Sequence, residues 1–377
     1  MKRLLTIGHS YVVGLNRRLA HELAVAGAGE WEVTAVAPRA LEGDLRRITL
    51  ESLEGERCRL IPLPMAMQRV AHLRHYRRLQ PIMRERWDVV HCWEEPYVAA
   101  GWQVARSVPP GARFVFATFQ NIAKRYPPPL SWMERAVTRR ADGWIPFGWT
   151  AREALSHRAG YAGCPARVIP PGVDLQVFRA DPEAGARIRA ELGWDDGAPV
   201  VGFLGRFVPE KGVALLLEVL ESLRSPWRAL FVGGGPLGPS LLRPFQRRHP
   251  SAVRVVEQVR HDQVPAYLNA MDVLCAPSET TPRWREQFGR MLIEAMACGV
   301  CVAGSDSGEI PRVIGEAGVV LPERNAAAWV AAIESLLADE ARRLSLRHAG
   351  RRRAEEEFAW PVVARRHLAF FDEVGAA

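Results

Sequence analysis

The sequence PSETTPRWREQFGRMLIEAMACGVCVAGSDSG, residues 277–308, decides the fold of the chain. A short apolar run at 273–276 precedes it, and Phe288-Gly289 marks the start of a predicted helix that runs to about Ala297. Small residues then lead into a second predicted strand at 300–303. A strand, a helix and a second strand in this order predict a βαβ unit, the element from which parallel sheets are built.

Short apolar runs alternate with amphipathic segments along the rest of the chain as well. Strands are predicted at 3–8, 31–37, 58–63, 88–92, 114–118, 143–147 and 167–169 in the first half, and at 200–204, 229–232, 253–257, 273–276, 300–303 and 319–321 in the second. The 377 residues exceed the ~250–300 that one hydrophobic core usually serves, so two domains are expected. The prediction is an α/β chain with two Rossmann-like, doubly wound domains that face each other across a ligand-binding cleft.

The domain boundary is predicted from IPPGVD at 169–174 and from the polar stretch with proline and glycine that follows it. An N-terminal domain is expected over 1–174, a linker over 175–198 and a C-terminal domain over 199–358, followed by a last helix over 359–377. The sequence contains no fixed-period repeat, which argues against solenoids and propellers.

The composition is that of an ordinary folded protein, because 48% of the residues are hydrophobic and 24% are charged. The formal net charge of +8 is unevenly distributed: residues 1–174 contain 25 Lys and Arg against 16 Asp and Glu, whereas residues 175–377 contain 25 against 26. An excess confined to the first half indicates a domain that faces an anionic partner. Nucleic acid, a phosphorylated substrate and a lipid surface all fit that description.

The start MKRLLTIGHS enters a predicted strand directly, without the apolar core and cleavage site of a signal peptide, and no run reaches the ~18 apolar residues of a membrane span. A cytoplasmic protein is expected, with peripheral contact to the inner face of the membrane left open. The six cysteines lie mostly in apolar runs, which favours reduced thiols. Cys298 and Cys301 form a CxxC, but no second pair or matching histidines follow, so neither a metal nor another cofactor is expected.

Two cations follow the predicted strand 200–204, in the loop GRFVPEKG at 205–212. Arg206 and Lys211 precede a helix predicted to begin near Val213, where free backbone N–H groups and the helix dipole favour an anion. A diphosphate suits such a site, and two solvated surface cations are the alternative. The glycine run at 233–235, after the next strand, would let the backbone approach a ligand closely.

Glu286 and Glu294 are separated by seven residues, with Glu286 in the loop before the predicted helix and Glu294 inside it. At ~1.5 Å per residue the two carboxylates lie roughly 10 Å apart along the axis, more than the ~5–9.5 Å of a glycosidase acid–base pair. The spacing suits two hydrogen-bond acceptors that hold opposite ends of a long polyhydroxylated ligand. A solvated helix face is the alternative interpretation.

In their order along the chain, GRFxxxKG, a glycine turn, PS…EQFG and EAMACG resemble the C-terminal half of retaining GT-B glycosyltransferases of the group 1, glycogen-synthase-like type. IPPGVD resembles the inter-domain signature of that family, and HSYVVGLNRRLAHELA at 9–24 resembles its N-terminal domain, so the resemblance covers nearly the whole chain. The family implies a nucleotide-sugar donor held by the second domain and an acceptor held mainly by the first. It also implies a last helix that crosses back to the first domain.

The resemblance assigns roles to individual residues. Arg206 and Lys211 match the pair that neutralises the donor diphosphate and stabilises the leaving nucleoside diphosphate. Glu286 matches the carboxylate that contacts the transferred sugar, and Glu294 matches the one that binds the ribose. The other donor-side matches are the backbone amides of Phe288, Gly289 and Arg290, the backbone of Val259 against the base, Gly235 in the glycine turn, and Gly14, which approaches the phosphates from the first domain.

One position departs from the family. Two residues after the threonine of FAT, where members often carry a histidine near the reacting sugar, this chain has Gln120, which cannot exchange a proton near pH 7. Retention by front-face attack, in which the leaving phosphate oxygen takes the acceptor proton, needs no such base and is the expected mechanism. The further acceptor-side candidates are His91, Glu94 and Glu95 in HCWEEPY, although the two glutamates could instead cap the following helix.

The sequence contains no Asp-x-Asp motif, so Arg206 and Lys211 are expected to do the work of Mg²⁺. The donor is left open between UDP, GDP and other nucleotide sugars, and the acceptor between a glycan, a lipid-linked sugar and a small molecule. The alternative function is a degenerate homologue that serves as a sugar-nucleotide-binding or scaffold subunit. The presence of both cations together with Glu286 and Glu294 argues against it.

Two basic stretches, 67–87 and 121–140, stand out in the N-terminal half. The first is interpreted as a basic amphipathic helix and the second as an exposed segment with aromatic and proline residues, and both would suit an anionic membrane surface. The alternative is a helix that packs on the sheet with its arginines in water. No helix-turn-helix, zinc-finger or RNP signature is present, so nucleic acid is not an expected partner.

Overall fold

The computed structural model describes residues 1–43, 47–194 and 196–376. The chain forms two compact units. Unit 1 contains the residues up to Gly172 together with those from Trp360 onward, and unit 2 contains Val173–Ala359. The boundary therefore lies two residues before the predicted end of the first domain at 174.

Unit 1 is built around a parallel sheet. Its strands are β1 (Lys2–Ile7), β2 (Trp31–Pro38), β3 (Ala40–Glu42), β4 (Arg47–Thr49), β5 (Arg59–Leu63), β6 (Met65–Ala66), β7 (His75–Tyr76), β8 (Val89–Cys92), β9 (Arg113–Thr118) and β10 (Gly143–Pro146). Its first helices are α1 (Gly14–Ala26), α2 (Gln80–Met83), α3 (Ala99–Ser107), α4 (Leu130–Arg140) and α5 (Trp149–Leu155), with a 3-10 turn at His9–Val12. Six strands form the sheet in the order β10-β9-β8-β1-β2-β5, and β3–β4 and β6–β7 are small antiparallel pairs.

Unit 2 repeats the design with a second six-stranded parallel sheet. Its strands are β11 (Val200–Arg206), β12 (Arg228–Gly234), β13 (Val253–Glu257), β14 (Val273–Ala276), β15 (Cys301–Ser305) and β16 (Val319–Leu321), in the order β13-β12-β11-β14-β15-β16. The helices are α6 (Pro182–Glu191), α7 (Val213–Ser222), α8 (Arg243–Arg248), α9 (Val264–Asn269), α10 (Arg290–Ala297), α11 (Ile310–Ile314), α12 (Ala326–Ala338) and α13 (Glu340–Arg353), with 3-10 turns at Pro209–Lys211 and His261–Gln263 and π-helical turns at Gly238–Leu242 and Ala354–Phe358. The predicted class of two doubly wound α/β domains is confirmed.

The last helix, α14 (Trp360–Ala376), belongs to unit 1 and packs against α1. Alternate residues of β1 point to opposite faces of the sheet. Leu4 lies in a core cluster with side chains of α1 and α14, whereas Leu5 lies in a cluster with side chains of α3 and α4. The sheet of unit 1 is therefore covered by helices on both faces, as continuous apolar strands require.

The segment 175–198, predicted as a linker, lies within unit 2 and contains helix α6. Asp181 caps this helix, because its side chain accepts a hydrogen bond from the N–H of Ala184 at 2.9 Å, and Pro182 occupies the first turn. Part of the polar stretch that predicted a linker is thus the start of a helix.

Two further predictions are wrong. The segment 167–169 is not a strand: Trp144 makes only an isolated bridge with Ala166, and two prolines that lack an N–H follow Ile169. The stretch 67–87 is not one amphipathic helix, since it contains β7 and then only the four-residue helix α2. Arg78 has a φ of 61°, which breaks any right-handed helix, and Pro81 starts a new one.

Candidate active site

The predicted donor cations lie at the carboxyl end of β11, which is paired in parallel with β14. Arg206 ends β11 and is exposed, and it forms no ion pair with any carboxylate in the described part of the chain. Lys211 ends the following 3-10 turn. Gly212 then has a left-handed φ of 68°, and a Cβ atom there would lie 1.8 Å from the carbonyl oxygen of Pro277. Only glycine allows this approach, and it brings Lys211 next to the loop that follows β14.

Lys211 and Glu286 form an ion pair with an Nζ–Oε2 distance of 2.5 Å. Both side chains are largely buried, at 14% and 7% exposure. The hydroxyl of Ser278 donates a second hydrogen bond to the same carboxylate oxygen at 2.9 Å, and the ring of Trp284 lies 5.1 Å from the ammonium. A cation suited to phosphate and a carboxylate suited to sugar hydroxyls are thus held side by side.

The backbone of Glu286 is held by the loop that follows β15. Gly308 has a φ of 58°, and a Cβ atom there would lie 1.9 Å from the carbonyl oxygen of Glu286. The same carbonyl accepts a hydrogen bond from the N–H of Glu309 at 3.2 Å, and the N–H of Glu286 donates to the Ser307 hydroxyl at 3.4 Å. Three loops, after β11, β14 and β15, therefore position this carboxylate.

Helix α10 carries the other donor-side candidates. Glu294 lies one turn inside the helix and is buried, with Nε2 of His261 at 3.4 Å from its Oε1. Gly289 and Phe288 precede the helix, and both are buried. Burial lowers the pKa of the Arg290 guanidinium, while the charge of Glu294 acts in the opposite direction. Glu286 in the loop and Glu294 in the helix occupy the positions that their spacing predicted.

Val259 and Gly235 follow neighbouring strands of the same sheet. Gly235 comes directly after β12, and Val259 lies two residues after β13, where it packs half-buried against the core. Together with the residues after β11, β14 and β15, they place the unit 2 candidates at the carboxyl edge of one sheet, which is the ligand-binding edge in this architecture.

In unit 1, Glu94 is the centre of a buried cluster after β8. It is 1% exposed, and it accepts hydrogen bonds from the backbone N–H of His9 at 2.6 Å and from the hydroxyl of Tyr76 at 2.6 Å. Nδ1 of His9 lies 2.5 Å from its other oxygen, and Arg74 bonds the far side of that ring at 3.0 Å. Burial would raise the pKa of Glu94, but His9 and the hydrogen bonds hold it below its usual value.

Glu95 behaves differently from its neighbour. Burial raises its pKa to about 7, although hydrogen bonds from the Thr118 hydroxyl at 2.6 Å and the Phe119 N–H at 2.8 Å act in the opposite direction. Gln120 lies two residues beyond this threonine and is 5% exposed, and its Oε1 has no hydrogen-bond partner among the described residues. Glu95, with a pKa of about 7, and Gln120 are thus both hydrogen-bonded to the Thr118 hydroxyl.

His91 does not point toward a ligand-binding edge, although its position in HCWEEPY predicted that it would. The ring of His91 is fully buried in the core, where Nδ1 lies 2.9 Å from the Thr6 hydroxyl and the ring packs on His367 at 5.5 Å. Burial lowers its pKa well below the usual value. His91 therefore packs against α14 inside unit 1 and is not proposed as an acceptor-side group. The N–H of Gly14, at the start of α1, donates to the Glu51 carboxylate at 2.8 Å.

The sequence interpretation missed several contacting residues. They are Ser278, Trp284, Ser307 and Gly308 around Glu286, His261 beside Glu294, and His9, Tyr76 and Thr118 around the two unit 1 glutamates. Most of them lie in loops directly after predicted strands, which was the signal that could have found them.

The CxxC cysteines are buried thiols in unit 2, and burial raises the pKa of Cys298 to about 12 and that of Cys301 to about 11. Within residues 1–43, 47–194 and 196–376, no three or more His, Cys, Asp or Glu side chains form a group that could hold a metal ion. None of the helices in these ranges is both long enough and apolar enough to cross a membrane.

Comparisons with known proteins agree with this architecture. A family model described as glycosyl transferases group 1 matches residues 186–353, and one described as glycosyltransferase family 4 matches residues 15–177. The D-inositol 3-phosphate glycosyltransferase of Geodermatophilus obscurus is 30% identical over 380 residues, covering 93% of this chain and 81% of the relative. The protein of that name from Jonesia denitrificans is 32% identical over 245 residues, covering 60% of this chain but only 56% of the relative, little more than half its length.

Among solved structures, Anabaena HepE in complex with UDP superimposes with a TM-score of 0.74 at 17% identity, covering 99% of this chain and 100% of HepE. The two doubly wound units and this likeness define a GT-B fold. The chain belongs to the group 1 glycosyltransferases. The resemblance drawn from the sequence motifs is thereby confirmed.

Proposed function

We propose that the protein transfers a sugar from a nucleotide-sugar donor to an acceptor hydroxyl, with retention of anomeric configuration and without a metal ion. The observation that carries the proposal is the buried pair of Lys211 and Glu286 at 2.5 Å, with the exposed Arg206 at the end of the strand that leads to Lys211. Two cations at the end of one strand suit a diphosphate, and the adjacent carboxylate suits the hydroxyls of the attached sugar.

In the proposed mechanism, Arg206 and Lys211 stabilise the negative charge that develops on the leaving nucleoside diphosphate. The ammonium of Lys211 has three N–H donors, so it can hold Glu286 and a phosphate oxygen together. Glu294 binds the ribose hydroxyls, and the amides at the start of α10 bind the sugar and phosphates. The leaving phosphate oxygen takes the proton of the acceptor hydroxyl on the same face, so no general base is required at Gln120.

The acceptor is proposed to bind to unit 1, near Glu94, Glu95 and Gln120. Relatives named D-inositol 3-phosphate glycosyltransferase make a phosphorylated acceptor a natural class to test, and the UDP complex of HepE makes UDP sugars the first donors to test. A thermal-shift panel of nucleoside diphosphates and nucleotide sugars tests donor binding, because a ligand that binds the native state raises its stability by RT ln(1+[L]/Kd). Analysis of the released nucleotide and of the product anomer then tests transfer and retention. A product of inverted configuration contradicts the mechanism.

Contact with an anionic membrane is proposed for the stretch 121–140 alone, since 67–87 forms no amphipathic helix. Trp132 on α4 is 63% exposed, and the exposed Arg135 and Arg139 lie on the same helix. An exposed tryptophan beside arginines suits the interface of an anionic bilayer. Co-sedimentation with anionic liposomes is expected at low salt, weaker at high salt, and reduced in Trp132→Ser. No sedimentation of the wild type at low salt rejects this contact.

A further inference from the structure

A cavity of about 610 Å³ lies in unit 1, and none of the donor-side residues contributes to it. It is lined by Arg39, Pro64, His75, Tyr76, Arg77 and Arg78. Arg39 directly follows β2, and Pro64 directly follows β5. The cavity therefore lies at the carboxyl edge of the unit 1 sheet, where ligands bind in doubly wound folds, and its volume is within the range of small-molecule sites.

Three of the six lining residues are arginines. No ion pair joins Arg39, Arg77 or Arg78 to a carboxylate of the residues that the structure describes. Glu42, on the strand next to Arg39, pairs with Arg47 instead. Some other arginines of unit 1 do have a carboxylate partner, as in the pair of Arg17 with Glu56 at 2.7 Å. The cavity thus brings together three positive charges that no carboxylate of the described residues pairs with.

Backbone hydrogen bonds fix the positions from which these arginines extend. The N–H of Arg39 donates to the carbonyl of Leu63 at 2.8 Å, and the N–H of Arg77 donates to the carbonyl of Pro64 at 2.8 Å. On the other side of β7, the amide of Gln103 bonds both the N–H and the carbonyl of Tyr76, at 2.9 and 2.7 Å. The backbone around the cavity is therefore held in place without a ligand, so binding need not order it, and only the exposed arginine side chains lose freedom.

Arg78 has a left-handed backbone with a φ of 61°, although it is neither glycine nor asparagine. Such a conformation is unfavourable for a long side chain, and strain of this kind persists where the surrounding structure imposes it, often at ligand sites. Here it is the second residue after the paired strand β7 and is part of the geometry that places two consecutive arginines on the cavity.

We infer that this cavity binds a phosphate group of the acceptor. The planar guanidinium of arginine matches the oxygens of a phosphate with two parallel hydrogen bonds, and three of them provide the charge for a dianion. Tyr76 links the cavity to the acceptor side, because the residue lines it while its hydroxyl donates to Glu94 at 2.6 Å. The assignment to the acceptor rests on the proposed function, whereas the binding of phosphate does not.

The test compares two double variants of the full chain with equal loss of charge. Arg39→Gln/Arg77→Gln removes two cavity cations, and Arg57→Gln/Arg187→Gln removes two exposed arginines elsewhere. Isothermal titration with glucose 1-phosphate, with glucose as the uncharged probe, measures binding of a soluble phosphate. Sedimentation with phosphatidylcholine vesicles, with and without phosphatidylinositol, measures binding of a lipid headgroup.

The cavity variant is expected to bind glucose 1-phosphate about tenfold or more weakly than wild type, because charge-assisted hydrogen bonds are lost, whereas the control changes by less than about twofold. If the difference between the variants instead appears only with phosphatidylinositol vesicles, the site stands and its phosphate is that of a lipid. Equal behaviour of the two variants with both probes overturns the inference. Titration with UDP is expected to give the same affinity for both variants, because the donor site lies outside the cavity. A wild type that binds neither nucleoside diphosphates nor nucleotide sugars rejects the proposed function, and the comparison of the two variants with glucose 1-phosphate remains valid.

Discussion

The ion pair between Lys211 and Glu286 can be removed from either side, and the structure sets the size of the effect. Glu286→Gln leaves an ammonium that is 14% exposed without its partner, and Lys211→Gln leaves a carboxylate that is 7% exposed. Removing one partner of a buried pair costs about 3–5 kcal/mol. Because the Ser278 hydroxyl still bonds the carboxylate and some water reaches the ammonium, we expect each single variant to lose about 2–3 kcal/mol of unfolding free energy.

The double variant closes a thermodynamic cycle whose coupling energy isolates the pair. We expect about 1.5–3 kcal/mol, the range of charge-assisted hydrogen bonds in contact. The matched control is Arg248 with Glu221, also in unit 2, which has a distance of 2.7 Å but side chains 62% and 41% exposed. The coupling energy of exposed pairs is about 0.2–1 kcal/mol, so the difference between the coupling energies of the two cycles measures how much burial strengthens the ion pair.

Urea unfolding at pH 7, followed by tryptophan fluorescence, supplies the free energies for both cycles. The same variants test function: Glu286→Gln is expected to abolish transfer and largely spare nucleoside diphosphate binding, whereas Lys211→Gln weakens both. A coupling energy no larger than that of the exposed pair would refute the argument from burial. Full transfer activity in Glu286→Gln would refute the assignment of the site.

Three further predictions follow from single positions or conditions. The carboxyl of Glu95 has a pKa of about 7 in the native state, above its unfolded value, so the native state keeps a proton that the unfolded state releases. The unfolding free energy is therefore expected to fall as the pH rises from 5 to 8, and Glu95→Gln should reduce that fall by about 1–3 kcal/mol. An unchanged pH dependence in Glu95→Gln contradicts the raised pKa. Gly308→Ala should destabilise unit 2 by at least about 2 kcal/mol, since its Cβ would lie 1.9 Å from a carbonyl oxygen. The control Gly197→Ala has a similar φ but open space around the Cβ, and should cost about 1 kcal/mol. Equal losses of unfolding free energy in the two variants reject the steric argument. Transfer activity should survive EDTA, and its loss on chelation, restored by added metal, rejects the role proposed for the two cations.

The strands of both units were predictable because buried parallel strands form continuous apolar runs. The bounds 253–257, 273–276 and 319–321 match β13, β14 and β16. The position of the unit 2 candidates at the carboxyl edge of the sheet was also predictable, since the carboxyl ends of parallel strands meet at one edge. A residue in a loop directly after a predicted parallel strand can therefore be assigned to the carboxyl edge of the sheet from the sequence alone.

The surroundings of the acceptor-side residues could not be predicted in the same way. Glu94 accepts a hydrogen bond from His9, 85 positions away, because β1 and β8 are neighbours in the sheet. The order of strands in a sheet cannot be predicted from the sequence of one segment. All four residues of β8 are buried, so alternation does not reveal that His91 faces α14 rather than a ligand. The pair β6–β7 is two residues long on each side, too short for any periodicity to predict it.

Helix α14 has a consequence for how the protein is made. Trp360 and Phe371 are buried in the core of unit 1, whose first strand was synthesised more than 350 residues earlier. On the ribosome, Val173–Ala359 can form unit 2 while the sheet of unit 1 still lacks one of the helices that cover the face where α1 packs. Unit 1 is therefore completed after unit 2, and the growing polypeptide carries a partly uncovered apolar face until α14 emerges.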